Sequence, residues 1–285
     1  MGGKRLKTGR NKEYEERIAN AIGKKEFAKL SRGYDLLGDI AIIEFKGSRN
    51  NGREIANMLM EFNPNIKTVL KKVGAVSGKY RIRKVRYVAG RKNFIATYRE
   101  NGCTFNFDMR KVYFSNRLSF ERSRLLGLVK DSESVMVMFA GAGPFAIEIA
   151  KHVPTANVVA IELNRNGYNH ILENIKINKT SNVRAMLGDV GKKAKEYMNS
   201  IDRIIMPLPR SSLDFLDATY DVAKKKAIVH LYAFSDSKEP FLPVLKRVKE
   251  HAKKRGYKIK LMSKRIVRSY STSESEIVLD YMITK

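Results

Sequence analysis

The segment Val135-Met-Val-Met-Phe-Ala-Gly-Ala-Gly-Pro-Phe145 constrains the fold more than any other stretch of this chain. An apolar run, two glycines and a proline read as a strand, a tight turn and the first turn of a helix. Gly141 and Gly143 suit a turn where φ can be positive and a ligand approaches the backbone. Pro144 is tolerated in a first helical turn, whose N–H groups have no intrahelical partners. Two acids follow in order, Glu162 at the end of the next apolar run and Asp189 after the one beyond. An open α/β sheet builds a nucleoside crevice in this way, at the carboxyl ends of its strands.

The identity of the nucleoside follows from the spacing. A dinucleotide fingerprint needs a third glycine, and the region after Pro144 offers Phe145, Ala146 and Ile147 instead. Glu162 lies 21 residues after Gly141, the right separation for a carboxylate that grips a ribose hydroxyl pair. Asp189, in Leu187-Gly-Asp-Val190, suits an adenine amino group. Two acids without the third glycine favour S-adenosylmethionine over a dinucleotide.

Strands are expected at 135–138, 158–161, 183–187, 203–206, 227–233, 258–266 and 276–283, with helices between the first five and over 241–255. Only a polar Ser/Thr/Glu turn separates the last two strands, so they should pair antiparallel. The fold class is therefore α/β: a class I S-adenosylmethionine-dependent methyltransferase with a Rossmann-like seven-stranded sheet, preceded by a small α+β domain. Residues 1–30 read as a basic helix or arm, 31–110 as the small RNA-binding domain and 111–285 as the methyltransferase domain. Within the small domain we expect a strand at 40–45, a helix at 53–62 and a strand at 68–70. Residues 80–88 alternate basic and apolar side chains, and 94–98 return after a turn at Gly90-Arg-Lys92. Glu100-Asn-Gly102 marks a further hairpin. A helix is expected over 111–127.

Charge names the partner. Lys and Arg number 56 against 29 acids, a formal net charge of +27. Residues 67–99 hold eleven basic side chains and no acid, and 246–268 hold eleven with Glu250 alone opposing them. Heat-adapted surfaces balance lysine with glutamate; two unbalanced clusters indicate a polyanion, and nucleic acid rather than a membrane surface. No apolar run is long enough to span a bilayer, and no signal core is present, so a cytoplasmic protein is expected. Cys103 stands alone and the four histidines show no ligand spacing, so no metal is expected.

Four motifs carry a resemblance. Ser31-Arg-Gly-Tyr-Asp-Leu-Leu-Gly-Asp-Ile-Ala-Ile42, Lys111-Val-Tyr-Phe-Ser-Asn-Arg-Leu-Ser-Phe-Glu-Arg122, Met138-Phe-Ala-Gly-Ala-Gly-Pro-Phe145 and Met206-Pro-Leu-Pro209 resemble the archaeal and eukaryotic tRNA guanine-37 methyltransferases, in family order. The resemblance implies S-adenosylmethionine as donor, tRNA as partner and position 37, beside the anticodon, as target; the sequence does not fix the oligomeric state, and a monomer is expected. It implies that Glu121 is the general base, that Arg117 and Arg81 support catalysis or grip RNA, and that Pro207 lies beside the reacting base. Arg122, Phe139, Ala140, Gly141, Gly143, Pro144, Phe145, Glu162, Leu163, Asp189, Val190 and Pro207 fall on cofactor contacts. The plainer readings stand beside these: a helix-surface ion pair of Glu121 with Arg117 or Arg124, a sheet-surface charge for Arg81, a core or hydrogen-bonding role for Tyr113 in place of stacking near the base, and a turn-shaping role for Pro207.

Three departures from the family pattern matter. A basic stretch of about thirty residues stands where the family usually carries an additional tRNA-binding domain. Val137 replaces an acid often found before Met-Phe-Ala-Gly. Most important, the family's Asn-Leu-Pro is Pro207-Leu208-Pro209, which removes a donor and acceptor pair near the base. That change resembles a wyosine-biosynthesis subgroup that methylates carbon-7 of 4-demethylwyosine to give isowyosine, with nitrogen-1 methylation of guanosine as an alternative or additional activity. A non-catalytic tRNA-binding protein and a ribosomal RNA methyltransferase are the remaining alternatives.

Overall fold

The computed structural model describes residues 8–29, 33–74, 78, 80 and 82–285. The chain divides into two compact units, one reaching to Glu100 and including Thr104–Arg117, the other comprising Asn101–Cys103 and Leu118–Lys285.

In the first unit, helices α1 (Thr8–Ile22) and α2 (Lys24–Phe27) precede strands β1 (Asp35–Leu37) and β2 (Ile40–Ile43). Helix α3 (Arg49–Phe62) starts four residues before the expected 53, because the Ser48 hydroxyl caps it by accepting from the Asn51 N–H at 3.2 Å. It carries the chain across to β3 (Thr68–Lys72), which pairs parallel to β2, and β4 (Val85–Gly90) then pairs antiparallel to β3. Ile18 of α1 and Ile55, Ala56 and Leu59 of α3 close over Ala41, Ile43 and Val69.

The structure corrects two expectations here. Residues 94–98 do not return against β4. The Arg91 N–H donates to the Lys67 carbonyl at 2.7 Å and the Thr68 hydroxyl to the Arg91 carbonyl at 2.8 Å, which tie the end of β4 to the start of β3. Strand β5 (Ile95–Glu100) instead pairs with β6 (Cys103–Asp108) in a separate two-stranded sheet. Positive φ at Asn101 (45°) and Gly102 (71°) makes the connecting two-residue turn. The helix expected over 111–127 is shorter, with a 3₁₀ turn at Asn116–Leu118 and then α4 (Ser119–Leu126). Asp108 takes the Lys111 and Val112 N–H groups, and Phe114 stacks on Phe107 at 4.3 Å, so 111–115 run as an irregular packed segment.

The second unit is built on a seven-stranded sheet. After α4 come β7 (Ser134–Met138), α5 (Pro144–His152), β8 (Asn157–Glu162), α6 (Arg165–Asn178), β9 (Val183–Leu187) and α7 (Val190–Lys193). The chain continues through β10 (Ile201–Met206), α8 (Leu216–Val222), β11 (Ala223–Asp236), α9 (Leu242–Lys254), β12 (Lys258–Ser269) and β13 (Glu274–Thr284). Strand order is β12-β13-β11-β10-β7-β8-β9. Strands β7 to β11 run parallel, and β13 pairs antiparallel with both β11 and β12, as the polar turn between them required. Apolar clusters cover both faces, which is why β7 and β10 are almost continuously apolar. From β7 the chain winds outward through β8 and β9, then returns to the other side of β7 as β10. The crevice between the carboxyl ends of β7 and β10 is therefore the topological switch point, where such sheets bind ligands.

Candidate active site

The turn after β7 is set by backbone geometry. Phe139, Gly141 and Gly143 have φ of 57°, 61° and 89°, and the Gly143 N–H closes the turn on the Ala140 carbonyl at 2.9 Å. A Cβ on Gly143 would lie 3.0 Å from Ile147 Cδ1, so the glycine allows close packing as well as positive φ. Pro144 and Phe145 open α5, both buried, with Pro144 in its first turn.

Glu162 ends β8 and its carboxylate holds that turn. Oε2 accepts the Gly141 N–H at 2.7 Å and Oε1 accepts the Asn164 N–H at 2.7 Å. Burial raises its pKa above the ordinary 4.5, against the pull of the Asn164, Gly141 and Leu163 backbone N–H groups. Each carboxylate oxygen accepts more than one hydrogen bond, so both keep capacity for a hydroxyl. Gly167 of α6 packs against this carboxylate; a Cβ there would meet Glu162 Cγ and the Gly141 carbonyl oxygen, both at 2.9 Å. Leu163 is half-buried beside it. Asp189 caps α7, its Oδ1 accepting from the Gly191 N–H at 2.9 Å, and Val190 is buried. Glu162 and Asp189 thus end adjacent parallel segments beside the glycine turn, as an adenosine requires.

Pro207-Leu208-Pro209 follows β10 across the switch point. The Ser212 hydroxyl donates within 2.9 Å of the Met206 and Leu208 carbonyls, and the Phe234 N–H donates to the Pro209 carbonyl at 3.0 Å. Phe139 packs edge-on against Phe215 at 4.7 Å on the same side. Pro207 is therefore held rigidly, and Val137 is fully buried inside β7.

Glu121 sits in the first turn of α4 with 2% of its surface exposed. Its Oε2 accepts from Arg124 Nε at 2.9 Å and from the Tyr232 hydroxyl at 3.1 Å; its Oε1 lies 3.9 Å from Arg265 Nε. The ion pair with Arg124 weighed from the sequence is real but buried. Arg124 continues to Asp280, with Nη1 to Oδ2 at 2.6 Å, and Asp280 Oδ1 meets His230 Nδ1 at 2.6 Å. Beyond it, His230 Nε2 is 2.8 Å from Arg203 Nη1, and Arg203 Nε donates to Glu133 at 2.7 Å. Burial lowers the His230 pKa, which leaves the ring neutral, with Nδ1–H donating to Asp280 and Nε2 accepting from Arg203. Burial alone would raise Asp280, but His230 and Arg124 outweigh it and hold the carboxyl below its ordinary value. Burial opposes the Arg124 charge as well, and Asp280 and Glu121 raise its pKa in spite of that. The Tyr232 hydroxyl is pushed well above 10 by burial and the charge of Glu121, so it stays a donor.

The remaining residues expected at the site are dispersed. Arg122 is buried with Nε 3.2 Å from Glu148 Oε1 and its guanidinium 5.6 Å from the Phe145 ring. Arg117 belongs to the first unit, where it pairs at 3.2 Å with Asp35, itself bound by Arg83 at 2.7 Å. Tyr113 is half-buried in that unit, and Arg81 lies outside the described residues. Of the two ion-pair partners weighed for Glu121, Arg124 is the one observed, and the Tyr232 hydroxyl joins it. The sequence reading did not identify Tyr232, His230, Asp280, Arg203 or Gly167, because each joins the site through tertiary contact. The first unit also holds a hollow of 740 Å³ lined by Asp39, Asn65, Arg91, Asn93, Thr97 and Arg99, among others. No helix among the described residues is long and apolar enough to cross a membrane.

Comparison with known proteins agrees with this architecture. A family described as the TRM5/TYW2 methyltransferase domain matches residues 96–260, and one described as the TYW2 N-terminal domain matches residues 14–93. The chain is 35% identical to a Pyrococcus abyssi tRNA (guanine(37)-N(1))-methyltransferase, Trm5b, over 90% of its own length and 76% of that protein. It is 30% identical to a Methanocaldococcus jannaschii tRNA(Phe) (4-demethylwyosine(37)-C(7)) aminocarboxypropyltransferase, covering 87% and 96% of the two chains. With the Saccharolobus solfataricus tRNA 4-demethylwyosine(37)-methyltransferase Taw21 it shares 33%, covering 86% and 92%. Among solved structures, a complex of aTrm5 with tRNALeu superposes with a TM-score of 0.82 at 28% identity, covering 95% of this chain and 78% of that one. M. jannaschii TYW2 in complex with AdoMet superposes at 0.70 with 26% identity, covering 88% and 99%.

Proposed function

The chain belongs to the TRM5/TYW2 methyltransferase family, and from that premise we propose that it methylates carbon-7 of 4-demethylwyosine at position 37 of tRNA. The chain is an S-adenosylmethionine-dependent tRNA methyltransferase. The donor supplies an electrophilic methyl group on a sulfonium. Glu162 grips the ribose hydroxyls, Asp189 and Val190 receive the adenine, and the Phe139–Phe145 turn with Arg122 lines the rest of the donor pocket.

Pro207 carries the choice of target. An asparagine there would offer donor and acceptor groups suited to guanine, whereas a rigidly held proline presents an apolar edge that accepts the added ring of the tricyclic base. The enamine-like ring carbon would take the methyl group that the donor supplies, and the proton displaced from carbon-7 would leave to a base. We assign that base to Glu121. Its Oε2 is engaged by Arg124 and Tyr232, which leaves Oε1 to take the proton, beside Arg265 at 3.9 Å. Arg81 and Arg117, with the basic residues around the hollow of the first unit, hold RNA phosphates. The chain acts as a monomer in this reading, with residues 1–30 as a basic amino-terminal helix or arm, 31–110 holding RNA and 111–285 catalysing transfer.

The similarity to Trm5b favours a second reading, nitrogen-1 methylation of guanosine-37, for which the same carboxylate accepts the ring proton. Incubation with labelled donor and tRNA carrying either guanosine-37 or 4-demethylwyosine-37, followed by nucleoside mass spectrometry, decides between them. We expect the label on the tricyclic base. Label on guanosine alone overturns the carbon-7 assignment, and label on neither overturns both.

A further inference from the structure

Beside the Pro207–Pro209 turn, the second unit exposes aromatic and cationic side chains that the donor site does not use. The ring centroids of Phe234 and Tyr270 lie 4.8 Å apart at 58°. The Arg210 guanidinium lies 4.6 Å from the Phe234 centroid and 5.4 Å from that of Tyr270. The Arg268 guanidinium also approaches Tyr270, at 5.8 Å from its ring centroid. Carboxylates fix both arginines, Glu274 to Arg210 at 3.1 Å and Glu276 to Arg268 at 2.6 Å. The group is nevertheless open, because Tyr270 is 50% exposed and so is the Arg210 side chain.

Its place in the fold matters as much as its composition. Phe234 donates its N–H to the Pro209 carbonyl at 3.0 Å, so the cluster is joined by backbone to the turn at which the target base is placed. The adjoining edge strand β12 exposes Lys264 midway along its length, with Lys260 and Lys258 farther away towards its other end, a basic track that a polyanion leaving the cluster could follow. A fold-locking aromatic cluster would be buried, and an ordinary solvated charged face would carry no ring. Planar π faces and guanidinium planes presented together to solvent are the means by which proteins hold unpaired RNA bases.

We infer that Arg210, Phe234 and Tyr270 form a stacking platform for one unpaired RNA nucleotide adjacent to the base that is methylated. The inference rests on the tRNA reading above and adds to it a second binding subsite. Target extrusion leaves a neighbouring base without its stacking partner, and the platform supplies a replacement.

The test uses the full chain and an anticodon stem-loop oligonucleotide with 2-aminopurine on either side of position 37. Binding to the wild-type chain should change the fluorescence of one of the two probes. Tyr270→Ala should abolish that change and weaken binding about tenfold, within the usual worth of one stacked base. Tyr270→Phe should retain both, and calorimetric affinity for S-adenosylmethionine should be unchanged in each. Arg210→Ala, a second exposed substitution, should act in the same direction and covers the case in which Tyr270→Ala fails to fold. Unchanged fluorescence and affinity in the folded alanine variants overturn the platform. A wild-type chain that binds the donor but not the hairpin overturns the parent tRNA reading, and the platform with it.

Discussion

Glu162 and Glu121 are both buried acids at the same end of one sheet, yet they are held in opposite ways. Backbone N–H groups of Gly141 and Asn164 hold Glu162, and no cation is among the causes of its shifted pKa. Side chains hold Glu121: Arg124 from the next turn of α4, Tyr232 from β11 and, through Arg124, Asp280 and His230. The difference is physical. A carboxylate held by uncharged amides in a dry site stays easier to protonate, which suits a group that receives hydroxyls from a ligand. A carboxylate embedded among fixed cations and a tyrosine hydroxyl is oriented by charge, which suits a group that must present one chosen oxygen to a substrate.

Removing the charge behind Glu121 should produce the largest effect. Asp280→Ala leaves Arg124 and His230 facing an uncompensated site, and breaking a buried ion pair of this kind costs about 3–5 kcal/mol. Urea denaturation of the variant should show a loss near the lower end of that range, since Glu121 remains beside Arg124. The pH dependence checks the cause. The folded pKa of Asp280 is depressed, so its stabilisation is present above the ordinary 3.8 and is lost as pH falls through the lower folded value. The difference between wild type and variant should therefore shrink on strong acidification.

The amide-held carboxylate should instead respond to packing. Replacing an interior helical glycine with alanine normally gains up to about 1 kcal/mol. Gly167→Ala places a methyl group 2.9 Å from Glu162 Cγ and from the Gly141 backbone oxygen, so the carboxylate must move. Donor affinity measured by calorimetry should fall roughly tenfold while RNA affinity stays unchanged, because 1.4 kcal/mol corresponds to tenfold. Retained donor affinity would contradict the placement of Glu162 against the ribose.

Acidification should have the mildest effect, and it acts through Glu162. Burial raises the Glu162 pKa, so the ionised form, which we propose accepts ribose hydroxyls, is lost at a higher pH than for an exposed glutamate. The donor dissociation constant should therefore begin to rise while pH is still above 4.5. Binding that is constant down to that value would show that the charge of Glu162 is not required.

How much of this was legible in the sequence follows the same division. The glycine turn, Glu162 and Asp189 are local: each sits at the end of its own apolar strand, and spacing along the chain reproduces spacing in space. The parallel sheet and its antiparallel terminal hairpin were readable for the same reason. The surroundings of Glu121 were not, because Tyr232 and Asp280 lie 111 and 156 residues from the groups they bind. Arg124 was visible three residues away, but that spacing does not distinguish a buried pair from a helix-surface one. The partner of β5 was misread because tethering of Arg91 to Lys67 depends on β3, which lies more than twenty residues earlier.

The most direct test measures donor affinity and single-turnover methyl transfer side by side in Glu121→Gln and Glu162→Gln. We expect Glu121→Gln to lower the transfer rate by about 10²–10⁴, the usual worth of a general base, with donor affinity within about twofold of wild type. Glu162→Gln should weaken the donor about tenfold or more, with the rate at saturating donor largely restored. Equal losses of donor affinity in both variants would contradict the division of roles between the two carboxylates.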